Sequence, residues 1–497
     1  MRVNRNYKKT HTHRFCKIIL SILFCGVILL VQGQTNQEVL KIVVKPGAND
    51  FQAIQNAMDN NTSKNLTIIL DGNFVVNQTL VSKRNNTTIE FTKGSQITTT
   101  SNENGILLFI HNNCVVQNGK FIGNGKSATT YYTGFGVQLA DTDNCKVVNC
   151  SFENISGLSI FLSYSKKGCK NNLIKGNHIS KPAMYMKEIG DEAGIMLGYS
   201  GDGYFHENNL ITLNEIDGNN VLKIGAGIIG HGKNNTFSLN KISNCLNYGI
   251  ISYESVYTDI SLTGSKILDN EIRNIGETGN RLTVKGMGIY LMKSMNSLVK
   301  GNKVYNTLRN SDKSESLPAG AISTSGSVNT TVENNIIDGS YMYGFVNDYS
   351  FNSNFNSNFV KNTRRSGAYF VNVNDVTVKD NHFENIGEVV FKGYFENTGL
   401  QYIKDQWKIK DYLNQSTGSN IRIENNYIVS DKDLLFFRGT GKKEKQIENK
   451  IKNNTFVNNI IKRSSGISVT DESIAFREVD GNTNVISNNK IEKNNHK

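Results

Sequence analysis

The apolar and polar positions of this chain follow a short motif that recurs along most of its length. The motif is an apolar residue, two spacers, an asparagine, one spacer and a second apolar residue, as in Phe237–Ile242. Its asparagines are Asn177, Asn214, Asn240, Asn270, Asn302, Asn335, Asn358, Asn381, Asn426, Asn454 and Asn489. Successive asparagines lie 23 to 45 residues apart, so each repeat combines one structural turn with loops of variable length. Such a repeat predicts a solenoid.

The apolar residues within each repeat predict strands rather than helices. Short runs of β-branched and aromatic residues alternate with a period of two, whereas a helical repeat would need a stripe at three and four spacing. Asparagine suits the bends because it tolerates the left-handed region and its amide can bond to the next asparagine in a stack. Adjacent coils of a parallel β-helix lie about 4.8 Å apart, which is close enough for such a ladder. We therefore predict an all-β, parallel β-helix in which these asparagines are architectural.

The first 64 residues depart from the repeat. A basic start followed by the apolar run Ile18–Val31 predicts a secretory signal peptide over residues 1–33. The run is short for a membrane span, and an uncleaved anchor is the alternative. Residues 34–64 are predicted as an N-terminal segment with a short capping helix, Asp50–Met58, over the open edge of the first coil. Residues 65–497 are predicted to form the parallel β-helix.

Charge and composition limit the partners. The formal net charge is +12, and removal of the six cations in residues 1–33 leaves about +6. This surplus favours an anionic partner such as an acidic polysaccharide. No basic cluster interleaved with aromatic residues indicates nucleic acid, and no later segment is apolar and long enough to span a membrane. The mature protein is expected to be secreted, on the cell surface or in the periplasm.

The cysteines outside the predicted signal peptide favour packing over cross-linking. Cys114 and Cys145 each stand two residues before the first apolar position of a repeat, so we expect them to stack on neighbouring coils. An inward stack of thiols is favoured over an oxidised pair. The odd count and irregular spacing argue against a disulfide framework, and no spacing fits zinc.

Candidate chemistry lies on the strands that follow the asparagines. These strands are Gly194–Tyr199, Gly227–Gly232, Gly249–Glu254, Gly288–Lys293 and Gly344–Tyr349. In the first four strands an isoleucine follows the glycine, and we expect it to point inward. Alternation then places His231 and Tyr253 outward on adjacent coils. Tyr199, Glu254 and Lys293 take the next position, at the bend. The result is a titratable strip, for which scattered polar residues on a solvated face are the alternative.

With the helix Asp50–Met58 followed by asparagine-laddered coils, the chain resembles the right-handed parallel β-helix superfamily of polysaccharide-active proteins. That superfamily includes pectate lyases, polygalacturonases, alginate and chondroitin lyases, and mannuronan C5-epimerases. The resemblance covers nearly all of the mature chain. It implies the fold and a carbohydrate polymer as substrate, but one scaffold carries lyases, hydrolases, epimerases and adhesins.

Two narrower patterns also resemble families. Tyr199 followed by Gly230–Gly232 is similar to the chondroitinase B and alginate lyase pattern, with Tyr199 at the family's lysine and Gly230 at its arginine. Gly190–Glu192 followed by Gly230–Gly232 is similar to polygalacturonases, with Glu192 at the second aspartate. The Asp-Pro-His motif of mannuronan epimerases is absent.

These residues favour an eliminative lyase acting on a uronate-containing polysaccharide. Such an enzyme needs a group that neutralises the sugar carboxylate, a base for the adjacent proton and an acid for the leaving oxygen. His231 as base with Tyr253 as acid, or Lys293 as base, would supply the proton transfers, with Glu254 beside them. Further expected substrate contacts are Tyr199, Tyr290, Asp348 and Trp407. Trp407 lies in an insert at residues 393–419, where covering the core is its alternative role.

Two other functions remain open. A glycoside hydrolase would use two carboxylates, which are expected among Asp191, Glu192, Glu254 and Asp348. The other is a non-catalytic solenoid that binds carbohydrate or forms a surface structure. For a metal, Glu188, Asp191 and Glu192 could hold Ca²⁺ beside the strip.

Overall fold

The computed structural model describes fifteen stretches of the chain. They are residues 39–59, 63–130, 132–163, 167–182, 193–198, 206–218, 224–253, 264–277, 286–309, 319–396, 418–440, 451, 453–463, 474–477 and 483–493. The predicted signal peptide, residues 1–33, lies outside them.

Three long parallel sheets make up the described part of the chain. Sheet 1 has the strands Val39–Val44, Asn65–Leu70, Thr87–Phe91, Val115–Gln117, Lys146–Val148, Leu173–Lys175, Leu210–Thr212, Thr236–Ser238, Lys266–Leu268, Leu298–Lys300, Thr331–Glu333, Phe351–Asn356, Asn374–Lys379, Ser419–Glu424, Thr455–Val457 and Val485–Ser487. Sheet 2 has Asn73–Val76, Gln96–Thr99, Lys120–Ile122, Ser151–Glu153, His178–Ser180, Glu215–Asp217, Lys241–Ser243, Glu271–Glu277, Lys303–Arg309, Ile336–Ser340, Phe359–Thr363, His382–Ile386, Tyr427–Val429, Ile460–Arg463 and Lys490–Lys493. Sheet 3 has Leu80–Ser82, Leu107–Phe109, Val137–Ala140, Ile160–Ser163, Ala193–Leu197, Ala226–Gly230, Tyr248–Tyr253, Met287–Met292, Gly320–Ser325, Tyr343–Asp348, Ala368–Val371, Phe391–Glu396, Leu435–Thr440 and Ile474–Arg477.

The chain visits the sheets in the order 1, 2, 3 and then begins the next coil, which makes the fold a parallel β-helix. The solenoid is right-handed. Each strand pairs in parallel with its equivalents one coil before and one coil after. Ile228, for example, pairs with Ile195 on one side and Ile250 on the other, and all three are fully buried. Aliphatic and phenyl side chains from all three sheets fill the interior. The predicted fold is confirmed.

A buried asparagine ladder runs along the corner between sheets 1 and 2. Asn240 donates from Nδ2 to Asn270 Oδ1 at 2.9 Å and to the Ile211 carbonyl at 3.0 Å. Its own Oδ1 accepts the side-chain and backbone N–H groups of Asn214, both at 3.0 Å. Because each amide satisfies groups on two other coils, the ladder fixes the register of the coils.

One predicted member of this ladder was wrong. Asn426 donates from Nδ2 to Asn459 Oδ1 at 3.1 Å, so Asn459 occupies the ladder position of its coil. Asn454 lies one residue before its sheet 1 strand, at the corner between sheets 3 and 1. The motif matches both Ile451–Phe456 and Phe456–Ile461. The pattern of residue types therefore could not choose between the two corners.

The exposed residues at the corners adopt the left-handed conformation, and most of them are asparagines. Directly before ladder residues, however, Leu213 and Leu239 hold φ values of 57° and 55°. These two leucines are 50% and 49% exposed, which is unusual for a side chain of this type. The corner thus divides two tasks between neighbouring residues: one makes the bend, and the next bonds along the stack.

The predicted cysteine stack is present at the corner between sheets 3 and 1. The Cys114 amide donates to Cys145 Sγ at 3.3 Å, and the Cys145 amide donates to Asn172 Oδ1 at 2.7 Å. Asn172 then donates to Asn209 Oδ1 at 3.0 Å. The buried thiols therefore begin a second ladder, which asparagines continue.

A single helix occurs in the part of the chain that the structure describes. Helix α1, Asp50–Asp59, buries Ile54 and Met58 against the first coil, with Phe51 partly buried beside them. No helix of this part is long and apolar enough to cross a membrane. The predicted capping helix is present.

Helix α1 also satisfies the open edges of two sheets. Asp50 Oδ2 accepts the Val75 amide of sheet 2 at 2.7 Å. The Gln55 side chain bonds to both the amide and the carbonyl of Val81 in sheet 3, each at 2.9 Å. Sheet 1 starts one strand earlier, because Val39–Val44 pairs with the strand after the helix. The first strand of the solenoid thus precedes its cap.

Candidate functional site on the outer face of sheet 3

His231 follows the strand Ala226–Gly230 on the central coils. Ile228 and Gly230 face the interior, so alternation turns Ile229 and His231 outward. Gly230 pairs with Ser252, which places the residues that follow them, His231 and Tyr253, on adjacent coils. His231 is nevertheless buried, at 5% exposure, so it does not lie on a solvated face.

Close packing requires glycine on either side of His231. A Cβ at Gly230 would lie 2.3 Å from Cζ of Phe237 in the core. At Gly232, φ is +108° and a Cβ would lie 2.0 Å from the His206 carbonyl oxygen. The Gly-His-Gly sequence that resembles polygalacturonases is therefore explained by close packing at this corner.

Lys293 directly follows the strand Met287–Met292 and is buried, at 2% exposure. Its φ of 52° is left-handed, a conformation that costs a lysine energy and that clusters at functional sites. Burial also disfavours the ammonium charge and lowers the pKa of Lys293 to about 8. A lysine with such a pKa is a proton acceptor within reach of neutral pH.

Asp348 ends the strand Tyr343–Asp348 two coils further on. Its Oδ2 accepts a hydrogen bond from Ser325 Oγ at 3.3 Å, and Ser325 in turn accepts the Lys293 amide at its carbonyl, at 2.8 Å. Oδ1 of Asp348 is enclosed and has no hydrogen-bond partner within the described residues. Burial raises the pKa of Asp348 to about 7, so its carboxyl group holds a proton near neutral pH.

One outward row joins these coils. Tyr253 pairs with Met292, Met292 with Ser325, and Ser325 with Asp348. Lys293 stands one residue beyond this row, at the bend. Sheet 3 therefore places Lys293 and Asp348 at the same end of their strands, two coils apart, with the strand that ends at Ser325 between them.

Tyrosines form the floor beside this row. Tyr290 stacks on Tyr248, with ring centroids 5.7 Å apart, and Tyr343 stacks on Tyr369 at 4.7 Å. Together with Leu246, Met287, Ala319, Met342 and Val346 they belong to a small apolar cluster outside the main core. Aromatic faces of this kind can stack on sugar rings.

Several predicted site residues cannot be placed. Tyr199, Glu254, Trp407, Glu188, Asp191 and Glu192 lie outside the described residues, and Tyr253 is described as a strand position only. Within the described ranges, no three His, Cys, Asp or Glu side chains are grouped as a metal ion would require. The predicted Ca²⁺ ligands are not among these residues, so they stay a prediction.

Sequence reasoning missed Ser325, Tyr248, Tyr343 and Tyr369. A signal for them existed, because each occupies an outward position of a sheet 3 strand once the register is known. The strands Gly320–Ser325 and Ala368–Val371 are not among the five aligned from the sequence, and Tyr248 and Tyr343 directly precede two strands that are.

Comparison with known proteins agrees with this architecture. Residues 212–409 match the family described as "Right handed beta helix region". A comparison with curated protein sequences gives no match.

Several solved structures are similar to this chain. The catalytic unit of a thermostable GH87 α-1,3-glucanase from Streptomyces thermodiastaticus strain HF3-3 is 13% identical, over 71% of this chain and 63% of that chain, with a TM-score of 0.55. PfbA, a surface adhesin of Streptococcus pneumoniae, is 15% identical over 69% and 89%, with a TM-score of 0.46. A tailspike protein of E. coli bacteriophage HK620, solved with a hexasaccharide, is 10% identical over 90% and 75%, with a TM-score of 0.48. The chain thus spans 63% of the glucanase unit, and this likeness establishes the shared fold.

Proposed function

We propose that the outer face of sheet 3 cleaves a uronate-containing polysaccharide by elimination, with Lys293 as the base. The observation that carries this proposal is the placement of Lys293, which is buried at the bend, one residue beyond the row that holds Asp348. Fixed, desolvated lysines of this kind act as bases in proteins. The stacked tyrosines beside the row supply a surface for the sugar rings.

In the proposed reaction, neutral Lys293 removes the proton on the sugar carbon next to the carboxylate. The electron pair forms a carbon–carbon double bond, and the neighbouring carbon–oxygen bond of the glycosidic linkage breaks. Protonated Asp348 donates its proton to the departing oxygen, with Tyr253 as the alternative acid. The products are a chain end with an unsaturated uronate and a second chain end with a hydroxyl group.

His231 as base with Tyr253 as acid is the alternative assignment. Lys293 is favoured because the glycines around His231 are explained by packing, while desolvation lowers the pKa of Lys293 to about 8, which makes it a base near neutral pH. The left-handed backbone of Lys293 belongs to the bend, because Asp141, Tyr349 and Asn372 adopt it at the same position of other coils. Variants of both residues separate the two assignments.

The test is to incubate the protein with a panel of acidic polysaccharides, with and without a chelator. Ultraviolet-absorbing ends are expected, and Lys293→Met should lose at least about 100-fold in turnover. Lys300→Met, an exposed lysine of sheet 1, is the matched control and should keep full activity. Full activity of Lys293→Met, or loss confined to His231→Ala, would overturn the assignment. The chelator arm tests the proposed Ca²⁺ ligands.

A glycoside hydrolase is the second candidate, and protonated Asp348 favours it because hydrolysis also needs a carboxylic acid near neutral pH. Its second carboxylate would come from Asp191, Glu192 or Glu254. New reducing ends without ultraviolet absorbance, lost in Asp348→Asn, would identify this reaction. Retention of polysaccharide without either product would identify a binding solenoid.

We also propose that the protein acts outside the cytoplasm, after removal of residues 1–33. The basic start of the chain and the apolar run Ile18–Val31 support this proposal. The N-terminal sequence of protein recovered from the medium or periplasm tests the cleavage position.

A further inference from the structure

We infer that the row containing Asp348 continues into a second subsite, which binds negatively charged sugar units several residues away from the bond that is cleaved. The subsite is the cationic strip, defined as Tyr369, Lys392, Tyr394, Phe436 and Arg438. This inference rests on the proposed polysaccharide substrate and adds the residues that would select its charge.

Register places the strip in line with the candidate site. Asp348 pairs with Val371, Val371 with Tyr394, and Tyr394 with Arg438. A parallel row links Tyr369 to Lys392 and Lys392 to Phe436. All five strip residues alternate with buried neighbours, so they face outward from sheet 3. Arg438 lies three coils from Asp348, a distance of about 14 Å along the solenoid.

The strip alternates cations with aromatic rings. Lys392 Nζ lies 5.9 Å from the centroid of the Tyr369 ring, and Arg438 is the cross-strand partner of Tyr394. A ring can stack on the face of a pyranose, while an ammonium or guanidinium group beside it binds a carboxylate or sulfate. Two such pairs on successive coils match a polymer that carries repeated negative charges.

The charge around the strip is positive on balance. Arg364, Arg365 and Lys432 lie in the described segments that lead into these strands, together with the carboxylates Glu388, Asp431 and Asp433. Glu388 is shared by two cations, with Oε1 3.9 Å from Arg365 and Oε2 3.8 Å from Lys392. Arg438 is exposed, and the row continues on the next coil at its cross-strand partner Arg477. An anionic chain that leaves Asp348 along the solenoid axis would therefore meet increasing positive charge.

The experiment measures affinity rather than turnover. Binding of polygalacturonate, of chondroitin sulfate and of neutral dextran is measured by affinity electrophoresis, for the unaltered protein and for Arg438→Gln. Arg422→Gln removes an equally exposed arginine from sheet 1 and is the matched control. Unchanged thermal unfolding of each variant confirms that the fold is intact.

We expect Arg438→Gln to weaken binding of at least one anionic polymer about 10-fold and to reduce the dependence of binding on salt, because one charged contact is lost. Dextran binding and the Arg422→Gln variant should not change. Equal loss in both arginine variants, equal binding of dextran, or no effect of Arg438→Gln would overturn the subsite.

The test of the cationic strip can fail or succeed independently of the test of the proposed reaction. If Lys293→Met keeps its turnover while Arg438→Gln loses affinity, the strip stands and the catalytic assignment fails. If turnover depends on Lys293 but affinity does not depend on Arg438, the strip fails and the reaction stands.

Discussion

Ser325 donates a hydrogen bond from Oγ to Oδ2 of Asp348 at 3.3 Å, and the two residues are direct cross-strand partners on adjacent coils of sheet 3. The bond occupies one oxygen of a carboxyl group whose other oxygen is enclosed without a partner among the described residues. An ionised carboxylate is costly in such a place, and this explains why the proton is retained.

The stability of the protein should therefore respond to pH through Asp348. The folded-state pKa, about 7, is raised above the ordinary 3.8, so the destabilisation from Asp348 is absent below about pH 4, grows between about pH 4 and 7 and is fully present above pH 7. The side chain of Asp348→Asn cannot ionise. At pH 8 this variant should therefore be more stable than the parent by roughly 1–3 kcal/mol in free energy of unfolding, and it should unfold at a higher temperature. At pH 4 the two should unfold together. Thermal unfolding of parent and variant between pH 4 and 8 measures this difference. Asp433→Asn, which changes an exposed carboxylate, is the control. If Asp348→Asn is no more stable than the parent at pH 8, the carboxyl group of Asp348 is not buried.

Lys293 should show the opposite pH dependence. Its folded-state pKa is lowered to about 8 from 10.5, so the charged lysine destabilises the fold below pH 8, and the cost is relieved between pH 8 and 10.5. Lys293→Met should raise the unfolding temperature at pH 7 and lose this advantage by pH 10. Lys300→Met should not be stabilised at either pH, because Lys300 Nζ lies 2.7 Å from Glu333 Oε1 at the surface. A variant that is more stable and inactive at once would match a residue kept for chemistry.

The asparagine ladder and the left-handed corner should respond differently to substitution at neighbouring positions. Asn240→Ala removes four buried side-chain hydrogen bonds, including the one that the Asn214 backbone amide donates, so we expect a loss of roughly 2–5 kcal/mol. Leu239→Asn places a tolerant residue at φ 55° and should stabilise by up to about 1 kcal/mol. Denaturant unfolding of the two variants measures both effects. Equal effects of the same sign would contradict the division of tasks at this corner.

The glycines of the Gly-His-Gly sequence should prove structural. Gly232→Ala introduces a Cβ against the His206 carbonyl at a positive φ, and we expect at least about 1–3 kcal/mol of destabilisation. Gly47→Ala, where no atom lies within 4 Å of the added Cβ, is the control and should be nearly neutral. If Gly232→Ala instead folds with parental stability but loses activity, the glycine serves the reaction and our packing explanation is wrong.

The fold could be predicted from sequence because its determinants are local and repeated. The spacing of Asn240 and its equivalents indicates where each coil begins, and the alternation within each strand indicates which residues face inward and which face outward. The misplaced ladder position at Asn454 marks the limit of this reasoning. Two corners of one coil use the same residue types, and the hydrogen bonds of Asn459 decide between them.

The candidate site was predictable in position but not in character. Alternation indicated the outward face of sheet 3, where Tyr290 and Asp348 lie, with Lys293 at the adjoining bend. The burial of His231 and Lys293 could not be predicted, because it depends on neighbours from other coils. The same holds for the protonated state of Asp348, since a pKa is set by tertiary desolvation rather than by residue type.

Along the continuous row from Tyr253 through Asp348 to Arg438, the spacing between side chains is set in steps of one coil. Each group on the row is separated from the next by whole coils, so gain or loss of one coil would move Arg438 by about 4.8 Å without turning it to another face. Duplication or deletion of a repeat could then lengthen or shorten the segment of polymer that is recognised, while Lys293 and Asp348 keep their relative placement. The number of coils can therefore change the length of polymer that is bound without changing the residues proposed to cleave it.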